Sequence, residues 1–286
     1  LSGANAYTGG TTINGGTLVV ATGGAINHPA ADLVVADTGA AAFTQTGGSA
    51  TVRDLILGPS GSAATVTLSS GLLVADNITR VSSGSTLTFD GGGLRATSDT
   101  APAFNGFTAG SLTVASGGIT FDTDGHSVVF SAPLSGVGGF TKTGSGTLTL
   151  SGANTYSGPT VVEGGDLIFA SSQAFYGANS ASWTAENLVV HSGATAYFPV
   201  GGTNGLTLSQ FEQLAALSTP TGGFRPGSSI GIDTTQAGGP LTLSGDQFVS
   251  SDINFAKTGA NTLSITGNNT LHGGLKVSGG LLLLGP

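Results

Sequence analysis

Two carboxylates, Glu163 and Asp166, stand three residues apart. A close acid pair is the minimum for glycoside hydrolysis, where one group protonates and the other attacks or activates water. They flank a Gly164-Gly165 turn, however, and the equivalent positions elsewhere are Asn14/Thr17 and Ser278/Leu281. The pair therefore reads as turn decoration. Asp122-Thr123-Asp124-Gly125 opens like a calcium loop but lacks the downstream bidentate Glu. Asp233 falls at the corresponding place in Ile230-Gly231-Ile232-Asp233-Thr234, which favours an Asp that bonds its own turn. His28, His126, His191 and His272 share no ligand spacing and read as exposed or turn residues. No Gly-x-Ser-x-Gly elbow, no His-Glu-x-x-His and no Walker A loop is expected. Trp183 offers either a sugar platform or packing. No catalytic residue, cofactor or metal ligand is expected.

Composition narrows the classes further. The 286 residues include 50 Gly and 10 Pro, no Cys and no Met. Gly, Ser and Thr are poor helix formers, so an all-α fold is excluded. Only 8% of residues are charged, with a net charge of −8. Seven scattered Lys and Arg give no basic stripe for nucleic acid or an anionic membrane surface. Zero Cys excludes disulfides, thiolate metal sites and a Cys nucleophile. No apolar run exceeds four residues, as at the leucines 281–284, so membrane insertion is not expected.

Repetition organises the chain. The string Leu1-Ser2-Gly3-Ala4-Asn5-Ala6-Tyr7-Thr8-Gly9-Gly10-Thr11 recurs from Leu150 to Thr160, and in looser form from Ile265 to Gly274. Asn5, Asn154 and Asn269 share one position; Tyr7, Tyr156 and Leu271 share another. Either these aromatics stack a ligand, or Asn satisfies turn backbone while the aromatic packs on the neighbouring coil. Each copy runs through a glycine doublet into a strand: Gly15-Gly16, Gly164-Gly165 and Gly279-Gly280. The last two copies share a lead-in, Lys142-Thr143-Gly144 and Lys257-Thr258-Gly259. Between them lie units with apolar residues at every second place, as at Leu87 and Phe89 or Ile119 and Phe121, the period of a half-buried strand.

Short units that tolerate insertions and carry small side chains point to a β-solenoid over a sandwich or barrel. At roughly 20–25 residues per coil and about 4.8 Å per coil, the chain makes about a dozen coils. Residues 142–158 resemble the autotransporter-associated β-strand repeat, the passenger-associated transport repeat of type V secretion passengers and long bacterial surface proteins. Copies fall at about 1–20, 140–169 and 255–284. The resemblance implies a right-handed parallel β-helix at the cell surface, with repeat residues that are structural.

One segment departs from the pattern. Leu208-Ser209-Gln210-Phe211-Glu212-Gln213-Leu214-Ala215-Ala216-Leu217 predicts a short inserted helix over about 208–218, with Ser209 and Glu212 as its capping box. The whole is read as one solenoid, all-β apart from that helix. Leu1 starts partway through a copy, and no cap follows the leucines 281–284. The segment is therefore expected to belong to a longer chain or to stack end to end. The expected partners are itself, other surface proteins or glycans. The leading expectation is a non-enzymatic extracellular rod or fibre segment. A carbohydrate-binding adhesin comes second, and a polysaccharide-lyase-like enzyme, which needs clustered Asp and a basic residue, third.

Overall fold

The computed structural model describes residues 1–5, 7–217, 219, 221–244, 252–267 and 273–285. Its strands stack in parallel ladders. One fourteen-stranded sheet carries a path of ten strands from Ala4–Asn5 to Gly223–Phe224. A five-stranded sheet contains Thr11–Ile13 and Ala103–Asn105 at its edges. A seven-stranded sheet runs from Val128–Phe130 to Leu275–Val277. A three-stranded sheet runs from Leu241–Leu243 to Leu282–Leu284. The result is a β-solenoid of about a dozen coils, as the sequence predicts.

Coil length varies. Thr147 pairs with Asp166, 19 residues on, while Val189 pairs with Gly223, 34 residues on. The strands keep their register because each coil needs only its neighbours, so extra residues leave sideways. The alternating pattern faces inward as expected: Leu87, Phe89, Ile119 and Phe121 are all buried. One core column reads Ile26, Ala50, Leu73, Leu94, Phe121, Lys142, Val162, Val190, Phe224, one residue per coil. Burying a Leu, Val or Phe there is worth roughly 1.5–3 kcal/mol each. A lysine stands in the middle of that apolar column.

The inserted helix, α1, spans Leu208–Ala215 and forms part of the coil wall. Phe211, Leu214 and Ala215 are buried, as their spacing predicts. Its cap differs from the expected one. Thr207, not Ser209, accepts from Gln210 N, and the Gln210 side chain accepts from Thr207 N. Two overlapping boxes compete here, and Thr207 follows directly on Leu206, whose pairing with Val200 fixes the chain where the helix begins.

Candidate functional site: lysine-stapled turns

The two lysines of the repeat lead-in occupy equivalent core positions. Lys142 aligns between Phe121 and Val162, and Lys257 between Ile232 and Val277. Both are fully buried. An ammonium group in such a place must be hydrogen-bonded. Lys142 Nζ donates to the carbonyl oxygens of Thr143 at 3.2 Å, Gly144 at 3.0 Å and Gly164 at 2.8 Å, and reaches Thr123 Oγ1 at 3.4 Å. Lys257 Nζ repeats the set with Thr258 O at 3.1 Å, Gly259 O at 2.8 Å, Gly279 O at 2.8 Å and Thr234 Oγ1 at 3.1 Å. Each lysine thus staples its own turn to the coils before and after it.

The glycines of the motif make the cradle possible. Gly144 and Gly259 sit at φ +78° and +82°, and the second glycine of each doublet, Gly16, Gly165 and Gly280, at +64° to +71°. Side chains rarely adopt that region. A Cβ on Gly165 would lie 2.2 Å from the Gly146 carbonyl oxygen. The first glycine of the doublet, Gly164 or Gly279, supplies the carbonyl that the lysine binds on the next coil.

Thr123 and Thr234 complete the cradle from the previous coil, and sequence reasoning missed both. The signal was present: an Asp-Thr pair, 122–123 and 233–234, precedes each Lys-Thr-Gly by one coil. The aspartates are turn formers, as read. Asp122 Oδ1 accepts from Asp124 N at 2.9 Å, and Asp233 Oδ1 from Thr235 N at 2.8 Å.

Burial lowers the Lys142 pKa to about 8, against the raising influence of the Asp166 and Asp122 charges. Burial also lowers that of Lys257, which Asp233 opposes. A depressed lysine is a candidate nucleophile. Here the nitrogen is enclosed by four oxygens inside the core, so its geometry serves structure.

The other repeat positions also turn inward to the fold. Asn154 Oδ1 accepts from Leu134 N at 2.9 Å and its Nδ2 donates to Ala174 O at 2.8 Å, bridging the coils on either side. Asn5 Nδ2 donates to Gly3 O and Ala25 O. The Tyr156 hydroxyl lies 2.7 Å from Thr160 Oγ1, which donates to the Tyr176 hydroxyl at 3.0 Å; Tyr176 donates on to Asn187 O at 2.6 Å. Burial raises the pKa of both tyrosines, that of Tyr176 to about 12. In the first copy, Tyr7 lies 2.6 Å from Thr11 Oγ1, which lies 3.0 Å from His28 Nε2; His28 Nδ1 faces Ala31 O. Asn269 and Leu271 lie outside the described residues.

Several readings need correction or completion. His28 is neither exposed nor in a turn: it ends strand Ala25–His28 and is 2% exposed, because it takes the place that Tyr176 holds in the second copy. Trp183 is buried and stacks on Phe175, so it offers no sugar platform. Asp166 pairs with Lys276 at 3.0 Å. Contrary to the expectation that no such spacing occurs, Gly227-Ser228-Ser229-Ile230-Gly231 has Gly-x-Ser-x-Gly spacing. Ser229 begins strand Ser229–Asp233, paired with Thr195 and Asn254. It lacks the strand-to-helix turn that makes such a serine a nucleophile.

The passenger-associated transport repeat pattern matches residues 1–20, 140–168 and 255–284. Both stapled lysines and both described Asn-Tyr positions fall within these copies. The chain is also 34% identical over 166 residues to the adhesin BmaC autotransporter of Brucella suis biovar 1 (strain 1330). That match covers 57% of this chain and 3% of the relative's length. No solved structure matches the chain. The chain is a β-solenoid that carries three passenger-associated transport repeats, the last two of them stapled by a buried lysine.

Proposed function

We propose that this segment is a non-enzymatic structural rod within a secreted passenger at a bacterial cell surface, and that it carries and spaces an adhesive function. The observation that supports this is where the repeat's own residues go. Lys142, Lys257, Asn154 and Tyr156 are spent on backbone groups and neighbouring coils inside the solenoid. The similarity to a part of an autotransporter adhesin favours the same reading.

Electron microscopy of the purified chain, together with turnover assays on a polysaccharide panel, tests it. Isolated short rods without saturable cleavage are expected. Saturable cleavage would overturn the reading. Long fibres with an axial repeat would replace the spacer role with filament building.

A further inference from the structure

The wall of the rod is interrupted by a loop at residues 96–102. Leu73 to Leu94 takes 21 residues, but Leu94 to its next partner Phe121 takes 27. The surplus leaves the coil as Ala96-Thr97-Ser98-Asp99-Thr100-Ala101-Pro102, closed by an antiparallel bridge between Ser98 and Ala101. The loop has a cleft on either side, and both clefts are lined by Thr100 and Ala103.

The first cleft has a volume of about 540 Å³, within the range of small-ligand sites. Its polar lining is carboxylate, amide and hydroxyl, from Asp76, Asn77, Thr97, Ser98 and Thr100, beside Ala101 and Ala103. Asp76 is its one charged lining residue. The Thr97 hydroxyl donates to Asp76 Oδ1 at 2.9 Å, which fixes the carboxylate. Asp76 Oδ2 takes no hydrogen bond among the described residues. Arg53, one coil below, directs its guanidinium to Asp32 and Asp54 instead. The second cleft, about 280 Å³, adds an apolar floor: Phe104 beside Val129, which is 53% exposed. Asp99 on its rim is held by Ser127 N at 3.0 Å and His126 Nδ1 at 3.2 Å.

Sugars need this combination. Fixed acceptors and hydroxyls meet their hydroxyls, and an apolar patch meets the C–H face of a ring. The sign of the charge selects further, since an unpaired carboxylate favours an ammonium and repels another carboxylate. We propose that the two clefts beside loop 96–102 form a saccharide-binding site, selective for oligosaccharides bearing hydroxyls and an amine over those bearing carboxylates. This rests on the adhesive reading above and gives it a location and a ligand class.

Saturation-transfer NMR on the 286-residue chain tests it with three probes: chitosan oligosaccharides, their N-acetylated counterparts, and oligogalacturonates. The expected order is amine first, N-acetyl second, and no binding of the uronate. Thr100→Trp, at the exposed residue shared by both clefts, puts a bulky ring into the site and weakens both binders about tenfold or more, while Val137→Trp on another exposed surface changes nothing. Asp76→Asn removes the preference for the amine. Equal binding of oligogalacturonate, binding indifferent to Thr100→Trp, or no binding of any probe would overturn the site. Rods that bind no sugar overturn only this inference, whereas cleavage of a probe overturns the proposed function itself.

Discussion

The first and second repeat copies place the same residue types in the same local arrangement and bury them differently. Tyr7 and Tyr156 each meet a threonine hydroxyl four residues on, at 2.6 and 2.7 Å. Tyr7 is nevertheless 39% exposed and Tyr156 only 1%. Tyr156 lies between two described coils, with Phe140 of the preceding coil 6.4 Å from its ring, whereas Tyr7 lies in the first described coil and meets only the coil that follows among the described residues. Above Tyr156 the next coil carries a wide excursion through the short helices Ser172–Ala174, Tyr176–Ala178 and Ser180–Ser182. It brings Tyr176 within 5.2 Å of the Tyr156 ring and stacks Phe175 and Trp183 behind it. Above Tyr7, the ring in contact among the described residues is that of His28, 5.4 Å away and tilted. The motif builds the rung; the neighbour decides what the rung is worth.

Truncating the two tyrosines tests this most severely. Tyr156→Ala empties a packed aromatic site and is expected to cost about 3–5 kcal/mol. Tyr7→Ala removes a half-exposed ring and is expected to cost less than about 1 kcal/mol. Because solenoid stability is distributed by coil, hydrogen exchange resolved along the chain is the suitable readout. Equal loss of protection around the two copies would break the comparison.

The lysine staples give the next largest effect. Lys142→Met keeps an unbranched apolar stem, one atom shorter, but leaves three carbonyl oxygens and a threonine hydroxyl without their cation. Hydrogen bonds to charged groups are worth about 1.5–3 kcal/mol, and a loss of that order is expected. Lys257→Met should cost a similar amount, since its four contacts match. Faster exchange confined to residues 143–146 and 163–165 in the first variant, and to 258–261 and 278–280 in the second, would confirm two local staples. A uniform loss along the rod would contradict them.

Titration sharpens the same point. The Lys142 pKa is near 8 in the folded chain and ordinary when unfolded. Between those values the unfolded chain binds more protons, so stability rises with pH across that window. Above about pH 10 the sign reverses, because Tyr156 and Tyr176 hold their protons longer when folded, Tyr176 to about 12. Denaturant midpoints measured from pH 7 to 11 should therefore climb and then fall. Lys142→Met should reduce the climb to the part that Lys257 contributes and leave the fall.

Much of this was legible in the sequence, and the boundary has a physical cause. The glycine doublets, the turn aspartates and the alternation around Leu87 and Ile119 are local signals, and all sit where local reasoning puts them. The burial of Lys142 was not legible as a core position. A charged residue reads as solvent-facing until the carbonyls of Gly144 and Gly164, two and 22 residues away, are known to converge on it. The status of His28 and Trp183 likewise depends on the coil stacked against each. The clefts beside Thr100 exist because one coil is longer than its neighbour, and the sequence marks such a surplus only by a break in spacing.

The finest test removes one oxygen atom from each tyrosine. Tyr156→Phe keeps the ring packing and deletes one member of a buried hydroxyl chain. Thr160 still donates to Tyr176, and Tyr176 still reaches Asn187 O, so the chain is shortened but not orphaned. A cost of about 1 kcal/mol follows, the net value of one hydrogen bond. Tyr7→Phe deletes the same bond where water can take its place, and the expected change is within about 0.5 kcal/mol. The motif and the bond length are nearly the same in both copies. A measured difference between the two variants therefore reports burial by the neighbouring coils on both sides of Tyr156, and equal costs would place the energy in the motif itself.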